Sequence, residues 1–133
     1  MRKLLLAYDG TEPARRALAM AADMTRRFGA ELSVISVVPR HAGMFAGDPW
    51  DDASAHAEVL IEARRLLRDE GVEAELLEPI GEVPQTIERI AEEGGFDAVI
   101  LGSRGLEVMD RALLGSVSEH VAANARTTVV VAR

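Results

Sequence analysis

A chain of 133 residues fits one domain, residues 1–133, and can bury a continuous core without staples; its lack of cysteine excludes disulfides, thiolate nucleophiles and cysteine zinc sites. Acidic residues number 22 against 15 basic ones, a formal charge of −7 that opposes attraction to nucleic acid or to an anionic membrane. The scattered aromatics Tyr8, Phe28, Phe45, Trp50 and Phe96 make no base-stacking platform. About four apolar residues follow Lys3, too few for a signal-peptide core, and no run approaches the roughly 20 of a membrane helix. The expectation is a cytoplasmic protein with no nucleic-acid or membrane partner.

Arg2 to Tyr8 has a continuous apolar centre, Leu4-Leu5-Leu6-Ala7, as in a strand covered on both faces. Asp9-Gly10-Thr11-Glu12-Pro13 breaks it and opens a helix, with Thr11 as cap and Pro13 in the first turn. Ala14, Ala17, Leu18, Ala21, Ala22 and Phe28 share a face expected to point inward, and Gly29 closes the helix. A second strand runs from Leu32 to Val38 and is expected to stop at Pro39. A loop of about a dozen residues follows, from Arg40 to Asp52, a length often associated with function. The next helix spans about Asp52 to Glu70, with Ala53, Ala57, Leu60, Ile61 and Leu67 inward. Its other face carries Glu58, Glu62, Arg65 and Arg68, read as solvated charges with pairs such as Glu62–Arg65.

Val72 to Leu76 alternates strictly, which marks a strand with one wet face or at a sheet edge. Gly81 and Pro84 open a helix with Val83, Ile87, Ile90 and Ala91 inward, ended by Gly94-Gly95. Ala98 to Leu101 is the fourth strand. A helix expected from Ser116 to about Ala125 and a last strand from Thr127 to Ala132 complete the chain. This alternation predicts an α/β fold, a doubly wound parallel sheet with right-handed crossovers and helices on both faces. Ligands in such sheets bind outside the carboxyl ends of the strands, here near Asp9, Val37-Val38 and Gly102.

The fourth strand leads into Gly102-Ser103-Arg104-Gly105, nine residues, then Gly115-Ser116. Glycines let a backbone approach an anion, and the first amides of a helix lack intrahelical partners, so this stretch suits phosphate. Ser116-x-x-Glu119 reads as a capping box, either a cap alone or a cap that leaves amides for phosphate. A Walker loop needs Gly-Lys-Ser/Thr, which the single lysine, Lys3, forbids; the Gly-x-Gly-x-x-Gly fingerprint is absent as well. Arg104 and Arg111 are either phosphate-binding cations or solvated loop arginines. Asp9 suits ribose hydroxyls, an adenine amine or Mg²⁺ reached through water, or else helps the turn to the first helix. His41, His56 and His120 lack metal-ligand spacing, and helix-dipole preference explains Asp48, Asp51 and Asp52. No nucleophile elbow or Ser/His/Asp set is present.

Leu101-Gly102-Ser103-Arg104-Gly105, nine residues, Gly115-Ser116-Val117 resembles the nucleotide-binding motif of the universal stress protein family. The similarity extends to Ala7-Tyr8-Asp9-Gly10-Thr11, to the Gly81 helix and to Asp97-Ala98-Val99-Ile100. The resemblance implies a Rossmann-like, adenine nucleotide alpha hydrolase-like sheet of five parallel strands in the order 3-2-1-4-5. It also implies a homodimer through the last strand, Val129 to Val131. In the ATP-binding branch, Asp9 would contact ribose or base, and Val37 and Leu101 would line the adenine pocket. Gly102, Gly105, Gly115, Ser116 and Val117 would bind phosphates and ribose, with Ala7, Ser103 and Arg104 completing the site. Ala7 stands where that branch often has proline, and the Ala125 to Thr128 segment lacks the usual proline. The implied function is an ATP-binding, nucleotide-responsive regulatory or stress-survival factor, with Mg²⁺ accompanying the nucleotide. A slow Mg-dependent ATPase or autophosphorylating protein, and a structural dimer module that binds no nucleotide, are the alternatives.

Overall fold

The computed structural model describes residues 1–40, 53–103 and 112–133. Its elements run β1 (Lys3–Ala7), α1 (Glu12–Phe28), β2 (Glu31–Ile35), β3 (Val38–Pro39), α2 (Ala53–Asp69), β4 (Ala74–Leu77), β5 (Ile80–Gly81), α3 (Val83–Glu93), β6 (Ala98–Gly102), α4 (Ala112–Asn124) and β7 (Thr128–Ala132). The main sheet is five-stranded in the order β4-β2-β1-β6-β7. Its pairings are all parallel. Counting only these five strands along the chain gives the expected order 3-2-1-4-5.

The apolar run of β1 takes the centre because residues there are buried from both sides, and Leu4, Leu5 and Leu6 are fully covered. Strand parity divides the core in two. Leu4, Leu6, Leu32, Val34, Ala98 and Ile100 pack with α1 and α2. Leu5, Ala7, Ile35, Val99 and Leu101 pack with Ile87 and Ala91 of α3 and Val117 and Val121 of α4. Each residue step along a central strand therefore switches helical layer.

Local signals set the element ends. Thr11 caps α1, its hydroxyl accepting from Ala14 N, and Gly29 ends the helix with a left-handed φ of 62°. The Asp97 carboxylate accepts hydrogen bonds from the amides of Arg2 and Lys3 at 2.6 and 3.0 Å, tying the start of β1 to the turn before β6. These two amides hold the Asp97 carboxyl below its ordinary value. Beside it, the Lys3 ammonium donates to the Gly94 carbonyl and sits 4.6 Å from the Phe96 ring centroid. His120 Nδ1 lies 2.7 Å from Glu88 Oε1 and joins α4 to α3.

Four local expectations need correction. The second strand does not stop at Pro39: β2 ends at Ile35, and Val38–Pro39 forms a separate parallel pair with Ile80–Gly81. Proline tolerates so short a pair because it needs to accept only, while Val38 N donates to Pro79 O at 2.8 Å. Phe28 is in heptad phase with Ala14 and Ala21 but ends α1 beyond the last core layer, and it is exposed. The inward stripe of α2 is His56, Leu60, Ala63 and Leu67, which leaves Ile61 and Ala53 exposed. The fourth helix begins at Ala112, not Ser116. Ala112-Leu113-Leu114 are strong helix formers and carry the helix through Gly115.

Gly102 closes β6 against the first turn of α1. A Cβ there would overlap the Pro13 carbonyl group and come within 2.9 Å of Ala14 N. Overpacking of this kind costs about 1–3 kcal/mol or more. Gly102→Val is expected to lower the unfolding free energy by at least about 2 kcal/mol in urea titrations, whether or not any ligand is present.

Candidate functional site

The carboxyl ends of β1, β2 and β6 bring together most of the described residues singled out from sequence. Ala7, Val37, Leu101 and Val117 belong to one buried cluster and form an apolar floor on the α3/α4 face. Asp9 lies two residues past Ala7 and is only 8% exposed. Ser103 continues the β6–β7 ladder by one residue, its amide donating to Ala132 O at 2.8 Å. Gly102 belongs by parity to the opposite face, and its missing side chain is explained by the approach of α1.

Arg104, Gly105 and Arg111 lie outside the described residues, as do His41, Asp48, Asp51, Asp52 and most of the loop expected after the second strand. Gly115 and Ser116 fall inside α4, in and just after its first turn. The Ser116–Glu119 pair therefore does not form a capping box at a helix start. Amides without intrahelical partners belong to the helix cap and the first three helical residues, Ala112 to Leu114, and not to Gly115, Ser116 and beyond.

Asp9 is held by its own turn. Both the Thr11 amide and the Thr11 hydroxyl donate to Asp9 Oδ1, at 3.0 and 2.5 Å. Gly10 makes the turn with φ 80°, a conformation that suits glycine. Asp-Gly-Thr before a helix is the sequence signal for this arrangement, because an Asp side chain readily bonds the backbone two residues on.

On the α1/α2 side, α2 reaches the same strand ends through contacts with no signal in the sequence. Ser36 Oγ lies 2.6 Å from His56 Nδ1, with both side chains buried. The Tyr8 hydroxyl donates to Glu62 Oε1 at 2.7 Å, and Arg15 meets the same oxygen at 3.3 Å. Glu62 thus pairs with Tyr8 and Arg15 rather than joining a solvated Glu62–Arg65 pair. These partners are too far apart in sequence for helical spacing to reveal them.

Among the described residues no group of three or more His, Asp or Glu side chains could hold a metal ion. No helix among them is long and apolar enough to cross a membrane. A separate groove of about 1100 Å³, lined in part by Lys3, Arg26, Glu31, Ser33 and Phe96, opens at the amino ends of the strands, away from Asp9.

Comparison with known proteins decides the family. The model of the universal stress protein family matches residues 1–133. The chain belongs to that family. Universal stress protein YxiE of Bacillus subtilis is 28% identical over 148 residues, with 98% of each chain covered. The universal stress protein encoded in the QAH/OAS sulfhydrylase 3′ region of Thermus aquaticus is 31% identical over 147 residues, covering 99% of this chain and 98% of the relative. Among solved structures, the universal stress protein of Archaeoglobus fulgidus in complex with dAMP superposes with a TM-score of 0.76 at 26% identity, covering 100% of this chain and 98% of that one. The universal stress protein fold is thus shared from end to end.

Tyr8 is the only tyrosine of this universal stress protein. Burial pushes its phenol above the ordinary 10.0, and donation to Glu62 raises it further. The folded state therefore binds this proton more tightly than the unfolded state. Its stabilising effect is complete below pH 10.0 and is lost as pH rises above that value. Tyrosinate absorbance is expected to stay low in folded protein above pH 10.0 and to rise abruptly on unfolding, and Tyr8→Phe is expected to flatten the loss of stability there.

Proposed function

We propose that this chain binds ATP at the carboxyl ends of β1, β2 and β6 and acts as a nucleotide-responsive regulatory factor in cytoplasmic stress survival. The observation that carries the reading is the convergence of Ala7, Val37, Leu101 and Val117 in one apolar cluster, with the nearly buried Asp9 two residues beyond Ala7 on the same strand end. An adenine ring needs such a floor, and a few placed polar groups orient it. Asp9 then accepts hydrogen bonds from ribose hydroxyls or the adenine amine. The segment Gly102-Ser103-Arg104-Gly105 and the first turn of α4 up to Gly115-Ser116 hold the phosphates, helped by the positive end of that helix, while Val117 stays in the apolar floor. Mg²⁺ would accompany the triphosphate, and holding it through water is the alternative role for Asp9. The dAMP held by the A. fulgidus relative supports an adenine nucleotide as the ligand class.

The same reading takes the protein as a single domain working as a homodimer through β7. That strand is at the sheet edge, and Val131 on it is 39% exposed. An uncovered apolar edge strand invites pairing with another chain, and a second β7 is a self-complementary cover.

Titration calorimetry tests the ligand. Wild-type protein is expected to bind ATP, and Asp9→Ala to weaken it by about tenfold or more, the loss typical of a hydrogen bond to a charged group. Wild type that takes up no heat with ATP, ADP, AMP or cyclic AMP would overturn the proposal. Sedimentation tests assembly: wild type is expected to run as a dimer and Val131→Lys as a folded monomer. A monomeric wild type would refute the dimer alone.

A further inference from the structure

We infer that Thr11 is a positioning residue of the nucleotide site, acting through Asp9; this rests on the ATP reading above. A carboxyl group as buried as Asp9 is costly unless its oxygens accept hydrogen bonds. Thr11 supplies two, from its amide and from its hydroxyl, and both fall on Oδ1. The hydroxyl bond, at 2.5 Å, is in the short range of an O–H donor to a carboxylate.

The same hydroxyl oxygen accepts from Ala14 N at 3.4 Å and so caps α1. One hydroxyl thereby joins the carboxylate to a helix of 17 residues packed against β1 and β6. Gly10, with φ 80°, closes the turn that brings the two residues together. Asp9 is consequently held in one orientation before any ligand arrives. Preorganisation of this kind raises affinity, because the ligand does not have to order the carboxylate. Serine keeps the donor and the acceptor, valine keeps only the shape, and aspartate keeps the cap but has no proton to donate at neutral pH.

Calorimetry with ATP, and with adenosine as an uncharged probe, tests the role in proteins shown by circular dichroism to be folded. Thr11→Val is expected to lose about tenfold in affinity for both ligands, and Thr11→Ser to stay within about twofold of wild type. Thr11→Asp, which preserves helix capping, is expected to lose adenosine affinity as Thr11→Val does. In an Asp9→Ala background, adding Thr11→Val should lower affinity less than about twofold, because the group through which Thr11 acts has gone. Thr11→Val or Thr11→Asp binding adenosine like wild type, or Thr11→Val keeping its full effect beside Asp9→Ala, overturns the role of Thr11 while leaving the ATP site standing. Wild type that binds neither ATP nor adenosine removes both.

Discussion

The close approach of α1 to the end of β6 is the constraint on which the site end of the molecule depends. Gly102 has room for no side chain because the peptide joining Pro13 to Ala14 occupies that space. Along the rest of the contact α1 presents Ala14, Ala17, Ala21 and Ala22, all fully buried, so the helix axis lies near the sheet over its whole length. Small residues permit this approach and dense packing then holds it. The Asp9-Gly10-Thr11 turn feeds directly into α1, so fixing the helix against β6 also fixes the distance between the Asp9 turn and the point where the chain leaves β6.

Around the carboxyl ends of β1 and β2, buried polar side chains each have a partner. Asp9 bonds to Thr11, Tyr8 to Glu62 and Ser36 to His56, each pair within ordinary hydrogen-bond distance. A buried donor or acceptor left alone costs about 1–3 kcal/mol, so each pairing constrains both members more firmly than its net energy suggests. Two of the three pairs end on α2, whose amino-terminal half is thereby joined to β1 and β2. The result is an apolar floor on one side of the sheet end and a hydrogen-bonded wall on the other.

Much of this was legible in the sequence because the signals are local. Leu4 to Ala7 read as a doubly covered strand, Leu32 to Val38 and Ala98 to Leu101 read as apolar strands, and the alternation after Val72 marked a strand with one wet face or at an edge. Asp9, Val37-Val38 and Gly102 could be named because a doubly wound sheet binds ligands at its carboxyl ends, whereas Leu101 was named only through the family resemblance. What escaped depends on distance or on end effects. The β3–β5 pair has two residues per strand and no periodicity to detect. Glu62 looked solvated because its partner Tyr8 lies 54 residues away. Counting histidine as polar hid His56 from the inward stripe of α2. Ser116 matched a capping pattern, yet the helix propensity of the three residues before Gly115 moved the start upstream. Gly102 was read as a glycine that lets the backbone approach phosphate, whereas in the fold its missing side chain makes room for α1, a neighbour that sequence alone could not supply.

The alternation of β6 between helical layers has an evolutionary consequence. Val99 and Leu101 face the α3/α4 layer that carries the apolar floor, whereas Ala98 and Ile100 face α1 and α2. Substitutions at odd positions therefore act on the α3/α4 layer while the opposite layer keeps its packing, and substitutions at even positions act on the α1/α2 layer alone. That independence ends at Gly102, where the chain leaves the sheet and α1 allows no added atom. Diversification within this architecture is accordingly open along the strand and closed at its tip.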